Sequence, residues 1–168
     1  MTRLLFTIFT CLSLLTGPAS AQDLENMSND EIVAAAPSLH PAALYVLASR
    51  LLAEGKGQEA ANWMYAGQLR YRILIVTGQE GRVLFDALTE QVGRPVNEYI
   101  AGDVDEWIAA MNFALEWDAA EPNDMVDVSK HQGAVNEVRA GLEGLRDSLD
   151  GRRTEIARER EKNGLENR

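Results

Sequence analysis

Apolar positions recur along this chain at spacings of three and four, and no stretch alternates with period two. The pattern predicts an all-α fold: a compact bundle of six to seven helices, one domain over residues 22–157, ending in a long helix. Ser28-Asn29-Asp30-Glu31 reads as a capping box, with Met27 and Ile32 at the staple positions, so a first helix runs to about Ala36. Pro37 and Pro41 interrupt the chain, and Pro41 suits the first position of a second helix. That helix places Leu44, Leu47, Ala48 and Leu51 on one face and ends near Gly55. A third covers residues 58–75. Shorter helices over 82–92 and 95–101 are separated by Gly93, and Asp103 with Glu106 caps a helix that reaches Ala120 before Pro122. The last helix spans 126–161, and the mostly charged residues 158–168 are expected to fray.

The third helix is apolar nearly all round, which predicts a central position. Ala60, Met64, Gly67, Tyr71 and Leu74 form one face, while Trp63, Ala66, Leu69 and Ile73 cover much of the rest. The exception is the stripe Tyr65, Gln68 and Arg72, on one face at spacings of three and four. A buried guanidinium without a partner costs several kcal/mol, so Arg72 needs an acceptor. Two readings stay open. The acceptor is an internal carboxylate such as Asp86, Asp103 or Asp105; or it is a ligand carboxylate or peptide carbonyl, read by Gln68 and Arg72 with Tyr65 as platform. Arg70, one heptad beyond Trp63, is expected to stack on that indole.

Two later helices carry candidate surfaces. In residues 103–120, Val104, Trp107, Ile108, Met111 and Leu115 make one apolar face, and Ala110, Phe113 and Trp117 make another. Packing on both sides is favoured; otherwise Phe113 and Trp117 form a partner-binding patch. In the last helix His131, Val135, Val138, Leu142, Leu145, Leu149, Arg152 and Ile156 follow a heptad seam. Gly133, Gly141, Gly144 and Gly151 each cost about 1 kcal/mol against Ala, so this helix should persist only when docked on its own domain or on a second copy. His131 reads as a packed or capping residue.

Composition adds a compartment. Arg3, the apolar run Leu4 to Leu15, and Ala19-Ser20-Ala21 have the order of a secretory signal peptide cleaved after Ala21. The run is shorter than the ~20 residues that span a bilayer. The chain's single cysteine, Cys11, lies inside it, so the exported chain would hold no disulfide and depend on its core. A periplasmic or secreted location is expected, with no stable membrane insertion after cleavage. The formal net charge of −10 argues against nucleic acid and anionic membrane surfaces, both of which need a basic footprint.

Residues for catalysis are sparse. The two histidines, His40 and His131, stand in no metal-binding spacing, and no hydrolase, phosphate-loop or dinucleotide motif is present. No cofactor and no catalytic residue is expected. A pair of acids among the 26 could in principle support glycoside hydrolysis, but nothing singles out two of them.

The stretch PAALYVLASRLLAEGKGQEAANWMYAGQLR, residues 41–70, resembles a tetratricopeptide or Sel1-like hairpin. Leu47-Ala48 stands where that repeat has its Leu-Gly pair, followed by Leu51, the Glu59-Ala60 pair and Gly67. One repeat length onward, Arg82 and Arg94 replace the small residues, so the hairpin is a single unit completed by other helices. The resemblance implies peptide or protein binding. The mature chain as a whole also resembles a type of exported bacterial protein, a resemblance that supplies no function. Two functions are therefore expected in order: a helical module that binds a protein or peptide partner, including neutralisation of a basic one, through Tyr65, Gln68, Arg72, Phe113 and Trp117; or an envelope protein that self-associates through residues 126–161.

Overall fold

A computed structural model describes residues 21–168; the signal-peptide expectation falls on residues 1–21 and lies almost entirely outside them. Among the described residues the structure is all helical, as expected, with no strand. The order is α1 (Ala21–Asn26), α2 (Asn29–Ala35), α3 (Ala42–Ala53), α4 (Gly57–Val76), α5 (Arg82–Leu88), α6 (Arg94–Ile100), α7 (Val104–Ala120), α8 (Gln132–Asp150) and α9 (Arg153–Lys162).

The capping box forms: Ser28 Oγ accepts from the Glu31 N–H, and the Glu31 carboxylate accepts from the Ser28 N–H at 2.7 Å. These bonds hold the Glu31 carboxyl below its ordinary range. Antiparallel to each other, α3 and α4 form a hairpin turned at Gly55, whose φ of 78° is costly for any residue with a Cβ. Gly67 lets the two backbones meet, since a Cβ there would lie 3.0 Å from Leu44 Cβ and 3.2 Å from the Pro41 carbonyl oxygen.

Central in the bundle, α4 packs against α3, α6, α7 and α8. Met64, Leu69, Tyr71, Ile73 and Leu74 on α4 are fully buried, as are Leu44, Tyr45 and Leu47 on α3, Ile100 on α6, Met111 on α7 and Leu149 on α8. An all-round apolar helix can satisfy its surface only in such a position.

Three boundaries differ from the sequence reading. Residues 82–100 form one continuous helix rather than two, with a π turn at Thr89–Gly93. Pro95 has no N–H to donate and its ring collides with a regular preceding turn; the widened turn absorbs both, and the Arg94 N–H reaches back five residues to the Thr89 carbonyl. The expected helix over 126–161 is broken twice. A 3-10 turn at Val128–Lys130 precedes α8, held by Asp127, which pairs with Lys130 and accepts from Ser129 Oγ. Gly151 and Arg152 then separate α8 from α9.

Residues 158–168, expected to fray, are instead docked. The Arg160 guanidinium is buried and donates to the Glu98 carbonyl (2.7 Å) and the Glu166 carbonyl (2.6 Å), and the Arg168 N–H donates to the Gly102 carbonyl. Charge alone argued for fraying; carbonyls at the end of α6, distant in sequence, supply the anchors.

Candidate functional site

The stripe on α4 is divided by the structure. Tyr65 points into the bundle, where its hydroxyl donates to Asn97 Oδ1 (2.8 Å) and accepts from Trp107 Nε1 (2.5 Å). Burial pushes its phenol up to about 12. It bridges α4, α6 and α7 and offers no surface to a ligand.

Gln68 and Arg72 lie elsewhere, on the wall of a groove between α4 and α8. Helical spacing brings Gln68, Arg72 and Ile75 into line, and α5 adds Arg82 and Phe85 at one end. Opposite stand Glu137, Val138 and Gly141 of α8, enclosing ≈ 290 Å³. The groove continues past Leu142 and Leu145. Heptad spacing explains the α8 wall. Val135, Leu142 and Leu149 are buried in the bundle, while Val138 is half-buried and Leu145 is exposed along the groove. One row of the seam therefore docks the helix, and the other borders open space.

Arg72 is exposed, so the argument that it requires an internal acid does not hold. Asp103 caps α7 by accepting from the Asp105 and Glu106 N–H groups, and Asp105 pairs with Arg153. The Arg72 guanidinium sits 5.8 Å from the Phe85 ring centroid. Among the described residues neither Arg72 nor Arg82 has a carboxylate partner. Beneath this wall the Tyr45 hydroxyl is buried without a hydrogen bond of ordinary geometry. Burial raises its phenol to about 12, opposed in part by Thr89, Arg72 and Gln68 nearby.

The buried guanidinium of α4 is Arg70. Its Nε pairs with Asp118 Oδ1, and its two terminal nitrogens donate to the Pro122 and Glu121 carbonyls at 2.9 Å each. Arg139 from α8 takes the other Asp118 oxygen at 2.6 Å. This triad joins α4, α7 and α8 and satisfies carbonyls left free at the end of α7. Arg70 also lies 4.5 Å from the Trp117 ring centroid, so it stacks on Trp117 rather than on Trp63.

Phe113 and Trp117 are half-buried and pack edge-on against Trp63, with centroids 5.2 and 5.6 Å away. With Val33, Ala34, Pro37 and Glu121 they line a shallow apolar depression of ≈ 330 Å³, on a different side from Gln68 and Arg72. The five residues expected to bind a partner thus occupy three separate environments. Of these, the α4–α8 groove joins unpaired positive charge to an apolar wall. The sequence reading missed Arg82, Phe85 and Glu137 there; exposed Val83 and Leu84 beside them were the available signal.

His40 belongs to the scaffold. Its Nδ1 accepts from the Ala42 N–H, leaving Nε2 to face Glu80 at 3.3 Å, while its ring packs edge-on against Tyr71. Among the described residues no three His, Cys, Asp or Glu side chains are grouped to hold a metal ion, and no helix is long and apolar enough to cross a membrane. Compared with protein families, with curated proteins and with solved structures, the chain matches none.

Proposed function

We propose that the protein is an exported binding module whose α4–α8 groove takes an acidic, amphipathic segment of a partner protein. One observation carries this reading. In a chain of net charge −10, Arg72 and Arg82 line the same groove without carboxylate partners, beside apolar Ile75, Val76, Phe85, Val138 and Leu145. Guanidinium groups pair strongly with carboxylates where water is partly excluded, and Gln68 can hydrogen-bond a peptide backbone alongside. An apolar wall with charges at its edge is the complement of an amphipathic helix. This replaces neutralisation of a basic partner as the function assigned to this groove, since its two arginines outnumber its one acid, Glu137.

The test is titration of the isotope-labelled chain with a synthetic helical peptide bearing Leu and Glu on adjacent faces, followed by NMR. Shifts should cluster at Gln68, Arg72, Arg82 and Val138, and Arg72→Glu with Arg82→Glu should weaken binding at least about tenfold. Unchanged affinity in a folded double variant would remove the groove as the site.

A second reading is favoured by the groove edge, where Val76 and Leu145 are exposed, and by Val83 and Leu84, exposed on α5. A second copy covering this edge would make the protein a self-associating envelope component. Sedimentation at increasing concentration distinguishes the two: a dimer that Leu145→Asp dissociates supports self-association, whereas a monomer throughout leaves the groove to a partner.

A further inference from the structure

A second site lies where residues 163–168 return to the corner between α6 and α7. After α9 the backbone reverses at Gly164 (φ 72°), and Leu165 N–H closes on the Arg160 carbonyl at 2.9 Å. Arg168 is thereby delivered to Tyr99, Gly102 and Glu106. Its backbone N–H donates to the Gly102 carbonyl at 2.7 Å. Its guanidinium lies 3.8 Å from the Tyr99 ring centroid, donates to Tyr99 Oη at 2.6 Å, and pairs with the Glu106 carboxylate.

The receiving side is built by the rest of the fold. The Tyr99 ring rests flush on Gly57 at the start of α4, where a Cβ would fall 2.1 Å from ring atoms. Gly102 leaves its carbonyl open to approach: a Cβ there would meet Arg168 Nε and Arg160 Nη2 at 3.1 Å. Glu106 is held by its place in the first turn of α7, next to the Asp103 cap. An aromatic face with its hydroxyl and a carboxylate together select a planar cation that can stack and donate at once, which distinguishes arginine from lysine, while the Gly102 carbonyl holds the backbone N–H of the same residue.

We propose that Tyr99, Gly102 and Glu106 form an arginine-binding clamp, which Arg168 occupies within the chain and from which the arginine of a basic peptide can displace it. Exchange is feasible because Arg168 is held by polar and stacking contacts at the surface: its side chain is 33% exposed and that of Glu106 is 39% exposed. Surface ion pairs contribute little once screened by salt. Arg160, buried and bonded to the Glu98 carbonyl, anchors α9 independently, so Arg168 can leave while α9 stays docked. The clamp lies apart from the α4–α8 groove and shares none of its lining residues.

The test compares the full chain with its Arg168→Ala variant, each titrated with the blocked peptide Ala-Arg-Ala and with Ala-Lys-Ala, following the Tyr99 ring and Gly102 amide by NMR. Removing the internal competitor should tighten Ala-Arg-Ala binding by the factor that Arg168 occupancy now withholds, about tenfold for a latch closed nine-tenths of the time. The lysine peptide should bind more weakly, and Glu106→Gln in the Arg168→Ala background should abolish the gain. If Arg168→Ala is folded by circular dichroism yet binds Ala-Arg-Ala no better than the parent chain, the clamp is a structural fastening and the proposal fails. Equal binding of the lysine peptide, or a gain that survives Glu106→Gln, overturns it equally.

Discussion

Asp118 holds two guanidinium groups at once, with its side chain almost wholly buried. Removing one member of a buried ionic group leaves an uncompensated charge, which costs more than the pair itself contributes. Asp118→Ala is therefore expected to destabilise the fold by about 3–5 kcal/mol, read as a lowered urea midpoint, whereas Arg139→Ala, at the half-exposed end, should cost less. Tyr45 and Tyr65 yield a prediction with a pH window. Both phenols have folded values raised to about 12 by burial, so their contribution to stability is complete below the ordinary phenol value of 10.0 and disappears as pH rises towards about 12. An ultraviolet titration should find three phenols, those of Tyr45, Tyr65 and the equally buried Tyr71, that ionise only as the fold opens, and Tyr65→Phe should remove one. The exchange of roles between Arg70 and Arg72 shows what spacing in a sequence conveys. Two positions apart on a helix, they point to nearly opposite sides, so one had to be buried. Choosing between them required knowing that the end of α7, with its free carbonyls and Asp118, would lie over Arg70.

At the scale of elements, α8 is under-stabilised along its own length. A Cβ added at Gly133, Gly141 or Gly144 meets nothing within 4 Å, so packing does not demand glycine there. Gly144→Ala should raise stability by about 1 kcal/mol, measured by denaturant unfolding. Gly141→Ala should do the same while narrowing the groove, so a loss of peptide affinity would separate binding from stability at that position. The opposite result is expected at Gly57. Gly57→Ala drives a methyl group into the Tyr99 ring and should destabilise by about 1–3 kcal/mol, with loss of the Arg168 contact visible by NMR. The capping box of α2 adds a pH dependence. Because the Glu31 carboxyl is lowered in the folded chain, first by its backbone hydrogen bond from Ser28, its contribution is present above the unfolded value of 4.5 and fades as pH falls below it. Helix starts of this kind were legible because a few adjacent residues specify them. The breaks around α8 were less so: the heptad seam continues in the sequence through Arg152, but the chain must turn at Gly151 for Ile156 and Arg160 to reach the α6–α7 corner.

Across the whole molecule, charge is separated by location. The chain carries 26 acidic and 16 basic side chains, yet two unpaired arginines gather on one groove while Glu106 holds an arginine at the opposite corner. Binding at the groove should weaken with added salt because its lining charges are exposed; affinity of the acidic peptide measured at rising ionic strength checks this. The central place of α4 was legible, since no other position could cover an apolar surface on all sides. The groove was only partly so, because Gln68 and Arg72 share a helical face but Arg82 reaches it through tertiary packing. The docked tail left no periodic signal: its partners are carbonyls near the end of α6, the Tyr99 ring and the Glu106 carboxylate of α7.

The π turn at Thr89–Gly93 ties that groove to the length of the chain. A π turn accommodates one residue more than an α turn, and one residue is worth about 100° of rotation along a helix. Deleting a residue such as Gln91 would tend to restore regular winding and swing everything before it by that angle about the helix axis. Arg82 and Phe85 would then no longer face α8. The positive end of the groove thus depends on an insertion that sets the phase of α5, and relatives differing by a single residue here would present a different surface even with every side chain of the groove retained.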